Sequence, residues 1–464
     1  MEPKDVTCYL PIEVKARELD TKLYLAISLV KKGFSVVIGS KSNIHKQMFK
    51  KNKPFIYFDK GISPLNSNFY NAIKASKGLI VEIQEEGNVS KNTDVIILSH
   101  NNPSAELVSL IFTWGELPRK IILENCSKLN PKNIVATGHP SIDLLHKDLI
   151  IYYQELAKVK NKIRPGYILI NTNFAHYNGY INFEESKKYN DNIDELYNEK
   201  KRREWQSIEK IQEKVLNEFL KMIKNLSKLV KEKEIVIRPH PLEKKDIYEK
   251  EFAEYENINV IREGSAREWI INAESVVHYD CTTGIESLII GKNVISFCPY
   301  FIKELVANLP IDISLKFSKA EDLISYIQND YKDKDYDFSE IRKKNMIILK
   351  KYMANVENKA TDKIVKNLEN LTKNWAKVNS QPLKKLYYLC KIKLKNLILN
   401  IKRRIKKYNN INIRQKSKFS HLNLREIDER LNIWYKCLSI NKKFVVNELR
   451  KDTFLIREEV SLEE

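Results

Sequence analysis

Six short runs of Val, Ile, Leu and Phe punctuate the first 150 residues, and they constrain the fold more than any other feature. They are "VTCYLPI" (6–12), "FSVVIGS" (34–40), "PFIYFDKG" (54–61), "GLIVEIQEEG" (78–87), "DVIILSH" (94–100) and "KNIVATGHP" (132–140). Each is nearly continuous in apolar residues, as a strand covered on both faces must be, and helical patterns lie between them. "DTKLYLAISLVKKG" (20–33) is one such helix, with Asp20 expected as its N-cap and Gly33 closing it. Strand and helix in alternation predict a doubly wound α/β domain with a parallel sheet.

A second series begins after a polar stretch at 157–166. "GYILINTNF" (166–174), "EIVIRPHP" (234–241), "INVIRE" (258–263), "SVVHYD" (275–280) and "NVISFCP" (293–299) read as strands, and Trp205 to Val230 carries apolar residues at helical spacing. The expected division is a first domain over 1–156, a second over 157–337, crossing helices over 338–374 and a tail over 375–464. Two such α/β halves predict a crevice lined by the C-terminal ends of their strands.

The formal charge of +20 belongs mostly to the tail: residues 377–418 hold 14 Lys or Arg and no acid. Within it Leu383, Tyr387, Cys390, Leu394, Leu397, Ile401 and Ile405 recur at helical spacing. The expectation is a helical, basic, amphipathic tail suited to an anionic membrane surface. No apolar stretch is long enough to span a bilayer, and no secretory signal is read at the N-terminus. Six scattered cysteines without a CxxC pair fit a reducing compartment.

The candidate chemistry sits at strand ends. In "HYDCTTGIESLIIGK" (278–292) a polar turn separates a strand from a helix beginning at Gly284, where helix N–H groups and the hydroxyls of Thr282 and Thr283 suit an anion. Glu286, one turn on, suits sugar hydroxyls. Arg238 and His240 of "RPHP", with Asn173 of "INTNF", end neighbouring strands. In the first domain Glu13, Arg17, Glu18, Lys60, Glu85 and Glu86 follow strands; a transfer reaction needs a carboxylate to take a proton and a cation to offset leaving-group charge. Each of these, taken singly, is also what a helix cap or a solvated charge looks like. "GHP" (138–140) and Asp143 read as a structural turn and cap. Asp333-Lys334-Asp335 has metal-binding spacing but lacks a preceding strand, so no metal is expected. Dinucleotide, P-loop, zincin and nucleophile-elbow motifs are missing.

"LPIEVKARELDTKLYLAISLVKKGFSVVIG" (10–39), "DKG" (59–61), "EEG" (85–87), "TGHPSIDLL" (137–145), "INTNF" (170–174), "RPHP" (238–241) and "HYDCTTGIESLIIGK" together resemble a bacterial surface carbohydrate biosynthesis protein family over residues 5–330. That family resembles GT-B glycosyltransferases and is related in pattern to CDP-glycerol glycerophosphotransferases and UDP-N-acetylglucosamine 2-epimerases. The resemblance implies two Rossmann-like domains, with Arg238, His240, Asn173, Thr282, Thr283, Gly284 and Glu286 contacting a nucleotide-sugar donor. It also implies an acceptor-side base from Glu18, Glu85 or Glu86 and no bound metal; from the residues themselves Arg17 and Lys60, or Arg238 and His240, are the cations expected to offset charge, and no cofactor is expected. The expected protein is a cytoplasmic glycosyltransferase, peripheral at the inner membrane, acting on a glycan or lipid-linked acceptor. A sugar-nucleotide 2-epimerase or a polyol-phosphate transferase are the alternatives, and a nucleic-acid-binding protein is the reading outside enzymes.

Overall fold

The computed structural model describes residues 1–50, 53–85, 94–160, 163–189, 198–329, 338–375, 380–405, 418–441 and 444–459. The chain forms two compact units. One comprises Met1–Tyr152 with Lys350–Lys406 and Phe419–Glu464, and the other centres on Tyr153–Leu349.

In the first unit β1 (Thr7–Ile12), β2 (Ser35–Ser40), β3 (Phe55–Asp59), β4 (Gly78–Ile83), β5 (Leu110–Thr113) and β6 (Ile134–Ala136) form a parallel sheet in the order β2-β1-β3-β4-β5-β6. The chain leaves β1 toward one edge and resumes on its other side at β3, so the switch point lies between them. Two expectations need correction. "DVIILSH" is the helix Asp94–His100, and the strand is "LIFT" of β5. A short apolar run fits a buried strand or a buried helix equally, and periodicity does not separate them. The helix expected at 20–33 spans Lys15–Val30, so Asp20 is an interior position rather than its cap.

The second unit holds β7 (Tyr167–Asn171), β8 (Ile235–Arg238), β9 (Ile258–Val260), β10 (Ala273–His278), β11 (Asn293–Phe297) and β12 (Leu315–Phe317), all parallel, in the order β12-β11-β10-β7-β8-β9. Numbered from β7, this is the 3-2-1-4-5-6 order of dinucleotide-binding folds, with its switch point between β7 and β10. The long helix Glu199–Leu229 lays Val215, Phe219, Met222, Ile223 and Leu226 against the sheet at the spacing of one helical face.

The tail departs from the all-helical expectation. Helices Pro382–Ile405 and Leu424–Cys437 are present, but β13 (Val445–Arg450) and β14 (Thr453–Arg457) form a hairpin that joins the first sheet, β14 pairing antiparallel with β2. Asp452 turns the hairpin at φ 58°. Its carbonyl would lie 2.1 Å from a side-chain carbon at Gly39, so only glycine lets the hairpin close onto β2 there. The helix before it is anchored by Trp434, fully buried, stacked on Tyr152 at 4.0 Å and tilted against Tyr24 at 5.2 Å. Arg430 on the same helix pairs with Asp20, which also accepts from the Tyr152 hydroxyl at 2.6 Å. Asp20 is therefore a core anchor for the C-terminal segment.

Replacing Trp434 by Ala is expected to cost about 3–5 kcal/mol of stability, the usual cost of emptying a large aromatic site. Urea unfolding followed by circular dichroism measures it. A loss no larger than that of an exposed-site change would show the C-terminal helix to be a dispensable addition.

Candidate functional site

Asn171 ends β7 at the centre of the second sheet, in register with Arg238 on one side and His278 on the other. This row marks the C-terminal edge at the switch point, where open α/β sheets take their ligands. The loop after β8 is held by Glu243, which the sequence reading did not single out. Its buried carboxylate accepts from the Thr172 hydroxyl (2.8 Å), the His240 backbone N–H (3.1 Å) and the Tyr248 hydroxyl (2.6 Å). Burial raises the carboxyl's pKa above the usual range, and these hydrogen bonds work against that rise. The ring of His240 accepts the Leu242 N–H through Nδ1 at 3.2 Å, so a neutral ring carries its proton on Nε2.

Arg238 does not present its guanidinium as a phosphate clamp. It is buried, lies 5.5 Å from the Trp269 ring, and donates to the carbonyls of Glu263 (2.7 Å), Gly264 (2.9 Å) and Arg262 (3.5 Å). Burial pulls it down to about 10. The expected donor contact is thereby revised to a positioning role for loop 262–264.

Beyond β10, Asp280 accepts from Asn173 Nδ2 at 3.2 Å and from the Ala307 N–H at 3.1 Å, tying the ends of β7 and β10 together. Asn171 Nδ2 donates to Thr283 Oγ1 at 3.1 Å. The helix Thr283–Ile290 follows, with Thr282 at the cap position making no side-chain cap bond. Two N–H groups of this turn, of Gly284 and Ile285, go to the carbonyls of Cys281 and Thr282. The expectation that N–H groups of the first turn hold an anion is narrowed accordingly, since those of Gly284 and Ile285 are used, and the hydroxyls and the positive helix end remain. Gly284 answers to packing, because a side-chain carbon there would sit 2.4 Å from His278 Nε2. Glu286 is paired through Oε1 with Arg267 (2.6 and 3.1 Å), which also donates to the Tyr153 hydroxyl. Burial opposes the Arg267 charge, but Glu286 and Tyr153 raise its pKa. No sequence pattern announced Arg267, since an arginine inside "SAREWI" reads as a solvated helix residue.

The first unit binds its own candidates tightly. Glu18 is buried and accepts from the backbone N–H groups of Glu13 (2.8 Å) and Val14 (3.1 Å), with Arg17 3.3 Å away. It closes the turn after β1 instead of standing ready to accept a proton. Glu85 is buried against Lys22 Nζ (2.6 Å) and His139 Nε2 (3.4 Å). Burial alone would raise its pKa, yet the Lys22 charge and His139 outweigh that and hold the carboxyl well below the usual range. A base so weak accepts protons poorly, so Glu85 is an anchor. Glu86 and Asp333-Lys334-Asp335 lie outside the described residues. Lys60 pairs with Glu13 at 2.8 Å, and the Glu13 side chain keeps 30% of its surface exposed. His139 accepts the Ser141 N–H and starts the helix Pro140–Asp143, and Asp143 accepts the N–H groups of Ala360 and Thr361; both are turn and cap residues. Among the described residues no group of three His, Cys, Asp or Glu is placed to hold a metal.

His278 gives the second unit a pH signature. Its ring is wholly buried beneath Gly284 and 2.9 Å from Ser314 Oγ, and burial pushes its pKa down from 6.5 to about 4. The unfolded chain binds the proton first, so this contribution is intact above pH 6.5 and is lost as pH falls toward 4. It amounts to about 3 kcal/mol. A wild-type melting temperature that drops across this window, and drops less in His278→Gln, is the expected result; equal slopes would assign the effect elsewhere.

No family model and no curated protein matches the chain. Among solved structures, a single-residue variant of the wall teichoic acid polymerase TagF is similar with a TM-score of 0.50 at 9% identity, over 81% of this chain and 90% of that one. The UDP-GlcNAc 2-epimerase of Neisseria meningitidis bound to UDP-GlcNAc has a TM-score of 0.47 at 15% identity, over 79% and 99% of the two chains. That of Methanocaldococcus jannaschii has 0.45 at 13%, over 74% and 99%. At such identity the likeness to the polymerase speaks to the fold alone. The chain has the GT-B fold, with two Rossmann-like units each built on a doubly wound parallel sheet.

Proposed function

We propose that this chain is a glycosyltransferase whose second unit binds a nucleotide-activated sugar and whose first unit receives a surface-glycan or lipid-linked acceptor at the inner leaflet. The observation that carries the reading is the switch point of the second sheet. Polar side chains from the ends of β7 and β10 meet there, Asn171 reaching Thr283 and Asn173 reaching Asp280, beside a helix N-terminus with hydroxyls at Thr282 and Thr283. The donor's diphosphate takes the positive end of that helix, with Thr282, Thr283 and the Nε2–H of His240 as donors. Glu286 has Oε1 spent on Arg267, and its second carboxylate oxygen takes the hydroxyls of the sugar or ribose.

In the reaction the bond between the sugar's anomeric carbon and the phosphate oxygen breaks, and the acceptor hydroxyl forms the new bond while giving up its proton. Neutralising charge on the departing phosphate lowers the barrier, which the helix end and His240 supply. With Glu18 and Glu85 committed to structure, Glu13, whose side chain keeps 30% of its surface exposed, is the first-unit carboxylate nominated to take the proton.

A thermal-shift series with UDP-, CDP- and CMP-linked sugars and a CDP-linked polyol, with and without EDTA, tests the donor site. One nucleotide class is expected to raise the melting temperature, and His240→Ala and Glu286→Ala to weaken that binding by about tenfold each, as loss of hydrogen bonds to charged groups does. A shift untouched by both changes refutes the site. Glu13→Gln is expected to lower kcat by about 10²–10⁴ while leaving donor binding intact. Interconversion of sugar epimers without any acceptor would instead establish an epimerase.

A further inference from the structure

The helix Pro382–Ile405 belongs to the first unit and is fixed to its surface. Lys385 Nζ donates to the Phe49 carbonyl at 3.1 Å, and the Gln381 N–H to the Ala75 carbonyl at 3.0 Å. The inward side carries Lys385, Tyr388, Leu389 and Ile392, all only partly exposed. The opposite side holds Leu383, Leu386, Tyr387, Leu394, Leu397 and Ile398, exposed by 46–82%. At about 100° per residue these six fall within one arc of roughly 120°, centred opposite the inward side. Lys384, Lys391 and Lys395 line one flank of that arc and Lys393 the other, and the helix contains no acidic residue. No described helix is long and apolar enough to cross a membrane.

We propose that this face docks the first unit onto an anionic lipid bilayer, lying in the plane of the headgroups. Its leucines enter the acyl boundary, and its lysines meet lipid phosphates. Charge decides the occupant. A second copy of the helix would bring two all-basic flanks together, which is repulsive, whereas an anionic leaflet satisfies the apolar arc and the lysines at once. The attachment at Phe49 and Ala75 presents the arc ready-made, so docking does not wait for a disordered tail to fold. This goes beyond the proposed transfer reaction and holds whichever donor the second unit takes.

The full-length protein is floated with vesicles of phosphatidylcholine alone and of phosphatidylcholine mixed with phosphatidylglycerol. Binding to the anionic vesicles only, weakening with salt, is expected. The double change Leu394→Glu with Leu397→Glu should abolish flotation, and Lys391→Gln with Lys395→Gln should reduce it by about tenfold or more. All sites are exposed, so melting temperature and the nucleotide-sugar shift should stay at wild-type values; that shift, read on the same samples, separates failure of the docking face from failure of the donor site. Wild-type protein that floats with neither vesicle, or Leu394/Leu397 variants that float like wild type, would overturn the proposal. So would light scattering that shows a wild-type dimer dissolved by the leucine changes, or binding to single-stranded RNA in place of vesicles.

Discussion

The ligand edge of the second unit hangs on one buried carboxylate. Glu243 sits with no solvent exposure and gathers the Thr172 hydroxyl from the end of β7, the His240 N–H from the loop after β8 and the Tyr248 hydroxyl from the helix beyond. A carboxylate in such surroundings is tolerable only when its lone pairs are filled, and each donor it loses would stay behind unsatisfied at about 1–3 kcal/mol. Because the three donors come from three different segments, Glu243 sets where the loops stand relative to the sheet. Asn173 then reaches Asp280, Asp280 holds the Ala307 N–H, and Asn171 reaches Thr283. Three sets of hydrogen bonds thus start from the consecutive residues Asn171, Thr172 and Asn173 at the end of β7, and Glu243 anchors the middle one.

A common physical logic runs through both units. Strands of a parallel sheet end in loops whose backbone N–H and C=O groups have lost their ladder partners and must be satisfied. Charged side chains at those ends do it several groups at a time, Arg238 for three carbonyls and Glu18 for two N–H groups, and Asp143 does the same for the first two N–H groups of the helix Ala360–Lys373. These are also the residue types that catalysis wants. Position at a strand end therefore does not separate a catalytic charge from a loop-holding one; its partners do. By that test Arg238, Glu18 and Glu85 are loop-holding charges.

The architecture was legible because it rests on composition over five to seven residues at a time. Runs of β-branched residues buried on both faces have few alternatives, and the sheet order follows from short right-handed connections. "DVIILSH" failed as a strand because a short apolar run carries no period to distinguish it from a helix turn. The hairpin of 445–457 was legible in part. "FVVNELRKDTFLIR" holds two short apolar runs around a polar turn, but the preceding basic stretch set the expectation of helix. Asp20, Arg267 and Glu243 were beyond reach for a different reason. Their partners Arg430, Glu286 and Thr172 lie 410, 19 and 71 residues away, and no local pattern encodes a long-range ion pair or hydrogen bond.

The C-terminal segment, read from sequence, is an appendage; in the fold it is a strap. Before the helix Pro382–Ile405 the chain is pinned to Ala75, and after it Trp434 is buried between Tyr24 and Tyr152 while β14 completes the sheet along β2. Taking the segment away would expose the edge of β2 from Val36 to Gly39, a row of unpaired backbone groups open to aggregation, and would leave Asp20 buried without Arg430. Truncation therefore confounds stability with function here. The exposed arc is separable from the anchors, since Leu394 and Leu397 face away from every residue that holds the strap in place. That separation lets a binding face and a structural closure share one segment, each answering to different side chains.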